Sequence, residues 1–256
     1  MIIRKSASEL ELMRHAGAVV AETITRVVEA VAPSVTTLEL DRIAARVIAD
    51  AGAEPSFLGY GGGGGRIAFP ATICASINEE IVHGIPSADR VLRDGDLVSL
   101  DFGAIWEGFH ADSAVTVFVG APPGDEAKRL VVATEAALDA AIAVVRPGGR
   151  LSDIGHAIEQ AAIAQGLGVV REYGGHGIGR AMHEDPFIQN WGAGGRGPEM
   201  KPGLVIAIEP MLTLGGDATR VRADGWTVDT ADGSLAAHFE HTVAVTETGV
   251  EVLTAR

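Results

Sequence analysis

The sequence is short of cysteine, aromatic residues and positive charge. Cys74 is the only cysteine among 256 residues, which excludes an intramolecular disulfide and cysteine-based zinc modules and is typical of a reducing compartment. Lys and Arg number 20 against 34 Asp and Glu, which gives a formal net charge of −14, and no basic cluster occurs. Because nucleic acids and anionic membranes are bound through clustered positive charge, we expect neither as a partner.

Long apolar segments are also missing. The sequence contains no run of ~18 uncharged apolar residues, the length that a membrane-spanning helix needs. Arg4, Lys5, Glu9 and Glu11 lie where an export signal would need an apolar core of ~7–15 residues. We therefore expect a cytoplasmic protein. With 47% hydrophobic residues the chain can bury a substantial core, and its length allows one large domain or two small ones.

Apolar residues at helical spacing predict four amphipathic helices. The first follows Ser8 as its N-cap and ends before Pro33, and the second follows Thr37 as its N-cap and ends near Gly52. The other two cover residues 126–145 and 152–165. β-rich runs at 97–102 and 114–119 predict a pair of strands.

Five consecutive glycines occupy residues 61–65. Such a run could cradle a phosphate, but neither a Gly-Lys-Ser/Thr motif nor a predicted helix follows it. We therefore interpret the run as a mobile loop.

The pattern of two helices followed by strands occurs twice, in residues 1–120 and 121–256. Each half has a histidine and then two carboxylates in the same order: His83, Asp101 and Asp112 in the first half, His176, Glu209 and Glu240 in the second. In each half the first carboxylate ends a predicted strand and the second opens the next strand. We therefore predict a single catalytic domain, residues 1–256, built from two halves about a pseudo-twofold axis, with the active site at their junction.

The four carboxylates of this repeat would repel one another if they converged. Two carboxylates 4 Å apart repel by ~4 kcal/mol at an effective dielectric constant of about 20. Asp101, Glu209 and Glu240 each adjoin an apolar strand, where an unpaired charge is costly. Two divalent cations would neutralise all four charges. With His176 the donor set is too large for one open tetrahedral zinc site and too hard for copper, which favours a pair of manganese, iron(II), cobalt or zinc ions.

The histidines divide by their sequence context. His83, His176 and His183 lie in turns rich in glycine or proline, where backbones approach ligands closely, and they are the functional candidates. His110 and His238 each lie two residues before a candidate ligand, on the same strand face, so a hydrogen bond to a ligand is possible. The remaining three, His15, His156 and His241, are expected to be packing, surface or structural residues.

Seven segments form a further pattern along nearly the whole chain. They are Ser76-Ile77-Asn78-Glu79, His83-Gly84-Ile85-Pro86, Asp94-Gly95-Asp96, Tyr173-Gly174-Gly175-His176-Gly177-Ile178-Gly179 with His183, Ile188-Gln189-Asn190-Trp191, Asp224-Gly225-Trp226-Thr227 and Phe239-Glu240-His241-Thr242. Together they resemble the short form of the type I methionine aminopeptidases, which are M24-type metallopeptidases. The resemblance implies the pita-bread fold, an α+β architecture of two pseudo-twofold-related α-α-β halves with a central curved antiparallel sheet covered by helices.

The resemblance implies roles for individual residues. The metal ligands would be Asp101, Asp112, His176, Glu209 and Glu240, with Asp112 and Glu240 bridging two ions, Asp101 chelating one ion, and His176 with Glu209 holding the other. His83 would contact the substrate near the scissile amide, His183 would steady the carbonyl oxygen, and Glu209 would receive a proton from the attacking water. The methionine pocket would be formed by Tyr60, Phe69, Cys74, Met182 and Trp226. Two departures affect this pocket: the glycine run resembles an insertion between two pocket aromatics, and Met182 replaces an aromatic residue common in relatives.

The implied activity is that of a methionyl aminopeptidase. Such an enzyme removes the initiator methionine of nascent proteins when the next residue is small, by hydroxide attack from a dinuclear metal centre. The expected partners are nascent N-termini and, transiently, the ribosome, and we expect a monomer. One alternative is an Xaa-Pro-directed peptidase of the same fold, although such enzymes usually carry an extra N-terminal domain. The other is a non-catalytic pita-bread binding protein, although such proteins typically lose metal ligands and this chain has all five.

Overall fold

Four helices and fifteen strands form the computed structural model, which describes residues 1–63 and 67–256. The helices are α1 (Ala7–Glu29), α2 (Thr37–Asp50), α3 (Asp125–Ala143) and α4 (Leu151–Ala164). The strands are β1 (Glu54–Pro55), β2 (Ile73–Ile77), β3 (Glu80–Val82), β4 (Leu97–Trp106), β5 (Phe109–Phe118), β6 (Gly168–Val169), β7 (Gly175–Gly177), β8 (Glu184–Ile188), β9 (Val205–Ile208), β10 (Met211–Thr213), β11 (Thr219–Val221), β12 (Val228–Thr230), β13 (Ala236–His238), β14 (His241–Val245) and β15 (Val250–Val252). The mobile loop predicted for residues 61–65 falls in part on residues 64–66, which lie outside the described residues.

All four predicted helices are present, but the N-caps of the first two lie before the predicted ones. The N-cap of α1 is Ser6, whose hydroxyl accepts from the backbone N–H of Glu9. The extended chain before it ends at Lys5, whose N–H donates to the Gly203 carbonyl. The N-cap of α2 is Thr36. It forms a reciprocal capping box with Glu39, whereas the predicted cap, Thr37, has no acidic residue three positions later.

Every strand pair in the structure is antiparallel, and the longest is the hairpin of β4 and β5. Its turn is Glu107-Gly108, with φ of 47° and 78°, as a two-residue hairpin turn requires. The strands therefore run further than the sequence predicted. Asp101 and Asp112 lie inside these strands, and the prediction that they mark strand ends in the first half is wrong.

The strands form four small sheets with the helices against them. Their orders are β1-β4-β2 with β5 paired to β4, β13-β10-β6, β11-β12-β3, and β15-β14-β9-β7-β8. Helix α1 packs on β4 and β5, and α3 packs on β9, β10 and β13. One hydrophobic core takes side chains from all four helices and from the sheets, among them Ile24, Leu40, Leu100, Leu130, Ile154 and Ile206. The division of one domain into two pseudo-twofold halves stays a prediction.

Three side-chain hydroxyls join β5 to the segment that contains β13 and β14. We call Ser113, Thr116 and Thr242 the hydroxyl seam. Ser113 donates to the Glu240 carbonyl (2.6 Å), Thr116 to the His238 carbonyl (2.7 Å) and Thr242 to the Asp112 carbonyl (2.7 Å). The seam therefore fixes the main chain at Asp112 and Glu240, two candidate ligands from different halves of the sequence.

The length and hydropathy of the helices show whether any of them could cross a membrane. Within the two described stretches of chain, no helix combines the length and the apolar character needed to cross a membrane.

Candidate metal centre and substrate pocket

The five predicted metal ligands come together at one cavity of about 180 Å³. Asp101 lies in β4, Asp112 in β5 and His176 in β7, while Glu209 directly follows β9 and Glu240 directly precedes β14. Donor atoms of Asp112, His176 and Glu240 lie within 4.8 Å of one another. The Nε2 atom of His176 is 3.8 Å from Oδ2 of Asp112 and 3.7 Å from Oε1 of Glu209. These spacings leave room for a cation between the side chains.

The ring of His176 is oriented for ligation. Its Nδ1 lies 2.9 Å from the Gly177 carbonyl oxygen, and because a carbonyl only accepts, Nδ1 must carry the hydrogen. Burial lowers the pKa of His176 to about 3, so the imidazole is neutral near pH 7. The lone pair of Nε2 therefore faces the carboxylates, as a metal-binding histidine requires.

Burial and close approach raise the pKa values of the four carboxyl groups. Burial raises the pKa of Asp101 to about 7 and, together with the charge of Asp101, that of Glu209 to about 8. The pKa values of Asp112 and Glu240 are raised well above their usual range by burial and by the neighbouring carboxylates. One oxygen each of Asp101, Asp112 and Glu240 is buried without a hydrogen-bond partner among the described residues.

These oxygens and the bare Nε2 of His176 fit a divalent metal. Buried, unpartnered carboxylate oxygens are costly unless a cation or donor meets them. The set consists of carboxylate oxygens and one imidazole, which suits zinc, manganese, iron(II) or cobalt. The site is therefore a divalent metal-binding site by its donor chemistry.

An apolar wall adjoins the ligands in the same cavity. Its members are Phe57, Tyr60, Phe69, Cys74, Met182 and Trp226. The Phe69 and Trp226 rings meet edge to face with centroids 5.3 Å apart, and Phe57 meets Phe69 at 6.4 Å. Burial raises the pKa of the Cys74 thiol, which keeps it neutral. All five predicted pocket residues thus lie together.

Phe57 was missed by the sequence analysis. Nothing in its local pattern separates it from an ordinary core residue. The available signal was an aromatic side chain three residues before Tyr60 in a chain with only 5% aromatic residues.

The two candidate catalytic histidines also line the cavity. His83 follows β3 in the left-handed region, with φ of 61°, and burial lowers its pKa to about 4. His183 is exposed at the cavity, where its Nδ1 lies 2.8 Å from the Tyr60 hydroxyl. The His183 ring lies 4.1 Å from that of His176, centroid to centroid. His183 is therefore next to the ligand cluster.

A buried ion pair holds the segment that carries Met182 and His183. The Lys5 ammonium lies 2.7 Å from Oε2 of Glu184, and both side chains are more than nine-tenths buried. Oε1 of Glu184 accepts from the Ala181 N–H, which closes the short segment 181–184. The sequence analysis missed this pair because its members are 179 residues apart.

The remaining histidines differ in their surroundings. Nδ1 of His110 bonds to the Ser56 hydroxyl (2.9 Å), which is not a candidate ligand. His238 lies beside Glu209 and Glu240, and burial lowers its pKa to about 3. The other three have local contacts: His15 stacks on Trp106, His156 bonds to the Gly192 carbonyl and His241 bonds to Thr254.

Comparison with known proteins identifies a metallopeptidase family. The profile of metallopeptidase family M24 matches residues 11–247. Methionine aminopeptidase 1 of Mycobacterium tuberculosis is 53% identical, and the match covers 99% of this chain and 95% of that protein.

Solved structures confirm the predicted pita-bread, α+β fold. The crystal structure of methionine aminopeptidase from Thermotoga maritima superposes with a TM-score of 0.96 at 41% identity, over all of both chains. The prolidase from Pyrococcus furiosus shares the fold alone, with a TM-score of 0.76 at 22% identity, and the match covers 66% of its chain. The chain therefore belongs to metallopeptidase family M24 and, within it, to the methionine aminopeptidases.

Proposed function

We propose that this protein removes the N-terminal methionine of polypeptides whose second residue is small, with the help of two divalent metal ions. The observation that carries the proposal is a single cavity in which five ligand-type side chains adjoin an aromatic wall. Family membership supports the same activity. Four buried carboxylates match the charge of two divalent ions.

The resemblance to the methionine aminopeptidases supplies the proposed role of each ligand. Asp112 and Glu240, whose main chains the hydroxyl seam joins, would bridge the ions. Asp101 would chelate one ion, and His176 with Glu209 would hold the other. When bound, such ions supply Lewis acidity toward the scissile carbonyl and a water that is nucleophilic at neutral pH.

The aromatic wall would select methionine. The cavity is small beside the ~300–1,000 Å³ of pockets for drug-sized ligands, which suits one side chain. Phe57, Phe69 and Trp226 present ring faces and edges, which favour a polarizable thioether. The neutral Cys74 and the flexible Met182 complete an apolar surface.

Polar side chains of the cavity would bind the scissile amide and accept the proton of the attacking water. When the Tyr60 hydroxyl donates to Nδ1 of His183, the hydrogen of that ring is on Nε2, which then donates to the substrate carbonyl oxygen. A donor placed in this way is worth ~3 kcal/mol of transition-state stabilisation. His83 would contact the substrate near the amide, and Glu209 would accept the proton of the attacking water.

The alternatives have less support. The prolidase from Pyrococcus furiosus is only 22% identical to this chain, so that similarity shows a common fold and no shared activity. A non-catalytic binding protein would not need all five ligand-type side chains, which the structure brings to one cavity.

We also propose the setting in which the protein acts. The substrates are the N-termini of nascent polypeptides, any ribosome contact is transient, and the protein is a cytoplasmic monomer. The single cysteine, the net charge of −14 and the absence of basic clusters support a cytoplasmic role without nucleic acid. Manganese, cobalt, iron(II) and zinc are the candidate ions.

A metal-replacement assay tests the proposed activity. Protein stripped with chelator and resupplied with Mn²⁺, Co²⁺ or Fe²⁺ should release methionine from Met-Ala-Ser but not from Met-Ile-Ser or from Xaa-Pro peptides. Asp112→Asn should lower turnover by more than about 100-fold, because the bridge between the ions is lost. Failure of every metal to restore activity, or an active D112N variant, would contradict the proposal.

A further inference from the structure

One imidazole nitrogen beside the candidate metal ligands has no hydrogen-bond partner among the described residues. His238 is only 2% exposed, and its Nε2 is buried without a hydrogen bond to any described residue. This atom lies 4.0 Å from Oε2 of Glu209 and 3.9 Å from Oε2 of Glu240. An unsatisfied buried nitrogen is costly, and the nearby carboxylates are the groups that could satisfy it.

The position of His238 is set by its backbone. The residue ends β13, where it pairs with Met211. Its N–H donates to the Thr116 hydroxyl (2.9 Å), and its carbonyl accepts from the same hydroxyl (2.7 Å). His238 is therefore held beside the two glutamates by the hydroxyl seam, and a turn of either carboxylate about its side-chain bonds can close the remaining gap of about 1 Å to hydrogen-bond distance.

The location of the ring hydrogen distinguishes His238 from His176. In His176 the Gly177 carbonyl binds Nδ1–H and leaves Nε2 free for a metal. Nδ1 of His238 makes no hydrogen bond to the described residues, so no carbonyl there fixes the hydrogen on that atom. Two carboxylates face Nε2 instead and attract the hydrogen to that atom.

We propose that His238 is a positioning residue of the metal centre, whose Nε2–H is shared by the carboxylates of Glu209 and Glu240 and orients both toward the ions. This inference rests on the metal site of the proposed function. Donors that orient metal ligands in this way typically contribute 10–100-fold to metal affinity. His238 is then a sixth side chain of the centre, which touches its ligands and not the ions.

Isothermal titration with Co²⁺ provides the first test. His238→Leu should weaken Co²⁺ affinity about 10–100-fold, whereas His238→Gln should stay within about threefold of wild type because its amide can donate to the same carboxylates. The Co²⁺ absorption bands of saturated H238L should match those of wild type, since no ligand is lost. His241→Leu is the matched control, because His241 bonds to Thr254 and its loss should leave Co²⁺ affinity within about threefold.

Nitrogen-15 NMR of the zinc-loaded wild-type protein gives a direct reading that needs no folded leucine variant. With labelled histidine, and with H238Q to assign the signal, the His238 ring should carry its hydrogen on Nε2. A His238 Nε2 without hydrogen and shifted by metal, or an H238L variant with wild-type Co²⁺ affinity, would overturn the proposal. If wild-type protein itself bound no Co²⁺, the proposed function would fail as well, so the two failures are distinguishable.

Discussion

The hydroxyl of Tyr60 connects the aromatic wall to the polar half of the cavity. It lies 2.8 Å from Nδ1 of His183, and the two rings are 5.3 Å apart. A tyrosine here therefore has two separable functions. Under the proposed function, its ring would cover the pocket, and its hydroxyl would determine which nitrogen of His183 can donate to the substrate.

Tyr60→Phe tests the second function alone, because the ring is retained. We expect kcat for Met-Ala-Ser to fall by about 2- to 10-fold, the equivalent of one neutral hydrogen bond of ~0.5–1.5 kcal/mol. KM should change by less than a factor of about two, since uniform binding is preserved. Steady-state kinetics measure both values, and a loss confined to KM would show that the hydroxyl serves binding only.

At the scale of elements, the chain before α1 contacts the segment that carries Met182 and His183. The main chain at Lys5 is fixed by a hydrogen bond to Gly203, and its ammonium reaches Glu184 at the start of β8. The segment between Ala181 and Glu184 carries Met182 and His183. The buried ion pair thus couples the entry to the first helix with the position of a candidate catalytic side chain.

Lys5→Met should remove this coupling. It leaves the Glu184 carboxylate buried without its partner, which typically costs 3–5 kcal/mol, and we expect a loss of about that size in the free energy of unfolding measured in urea. We also expect kcat to fall, because Met182 and His183 lose their anchor. The double variant Lys5→Met with Glu184→Leu should recover part of the stability, since apolar replacement of both partners is far less costly. A double variant as unstable as the sum of the single variants would rule out this account.

The sequence predicted local elements well and long-range partners only where a repeat revealed them. Helices α3 and α4 begin and end within two residues of the predicted limits, since helix periodicity and breakers are local. Asp101, Asp112 and Glu240 could be grouped before the structure because their order recurs in the chain. Lys5 had no such signal, and its partner could be identified only from the folded chain. The Glu107-Gly108 turn was overlooked, and its omission shortened both strands of the hairpin.

At the scale of the whole molecule, the metal centre joins strands from both parts of the sequence. Its carboxylates belong to β4 and β5 on one side and to the ends of β9 and β14 on the other. Without a cation, their repulsion acts across the junction. Metal ions should therefore contribute to global stability as well as to chemistry.

In the metal-free protein, the free energy of unfolding should fall as the pH rises above about 6.5. The unfolded state loses its carboxyl protons near pH 4, whereas Asp101 and Glu209 keep theirs until about 7 and about 8, so the folded state binds more protons and is favoured at lower pH. Buried histidines such as His83, His176 and His238 have the opposite effect, which is half complete at their unfolded pKa of ~6.5 and fades over about one pH unit above it. Above about pH 7 the carboxylates therefore dominate the slope.

Thermal unfolding with and without Mn²⁺ measures this effect. The Tm of chelator-treated protein should decrease from pH 6.5 to 8, and the increase in Tm on adding Mn²⁺ should be larger at pH 8 than at pH 6.5. A Tm of the stripped protein that rises over this range would mean that the four carboxylates do not crowd one another.

The hydroxyl seam constrains how related sequences can diverge. Each of its three hydroxyls bonds to the main chain of the facing strand, so replacing Thr242 with valine would leave the Asp112 N–H and carbonyl without their partner. A second substitution that restores hydrogen bonds to these groups must then occur in the other part of the chain. We therefore expect the surfaces of the two parts to drift independently among relatives, while substitutions at Ser113, Thr116 and Thr242 co-vary with residues of the opposite strand.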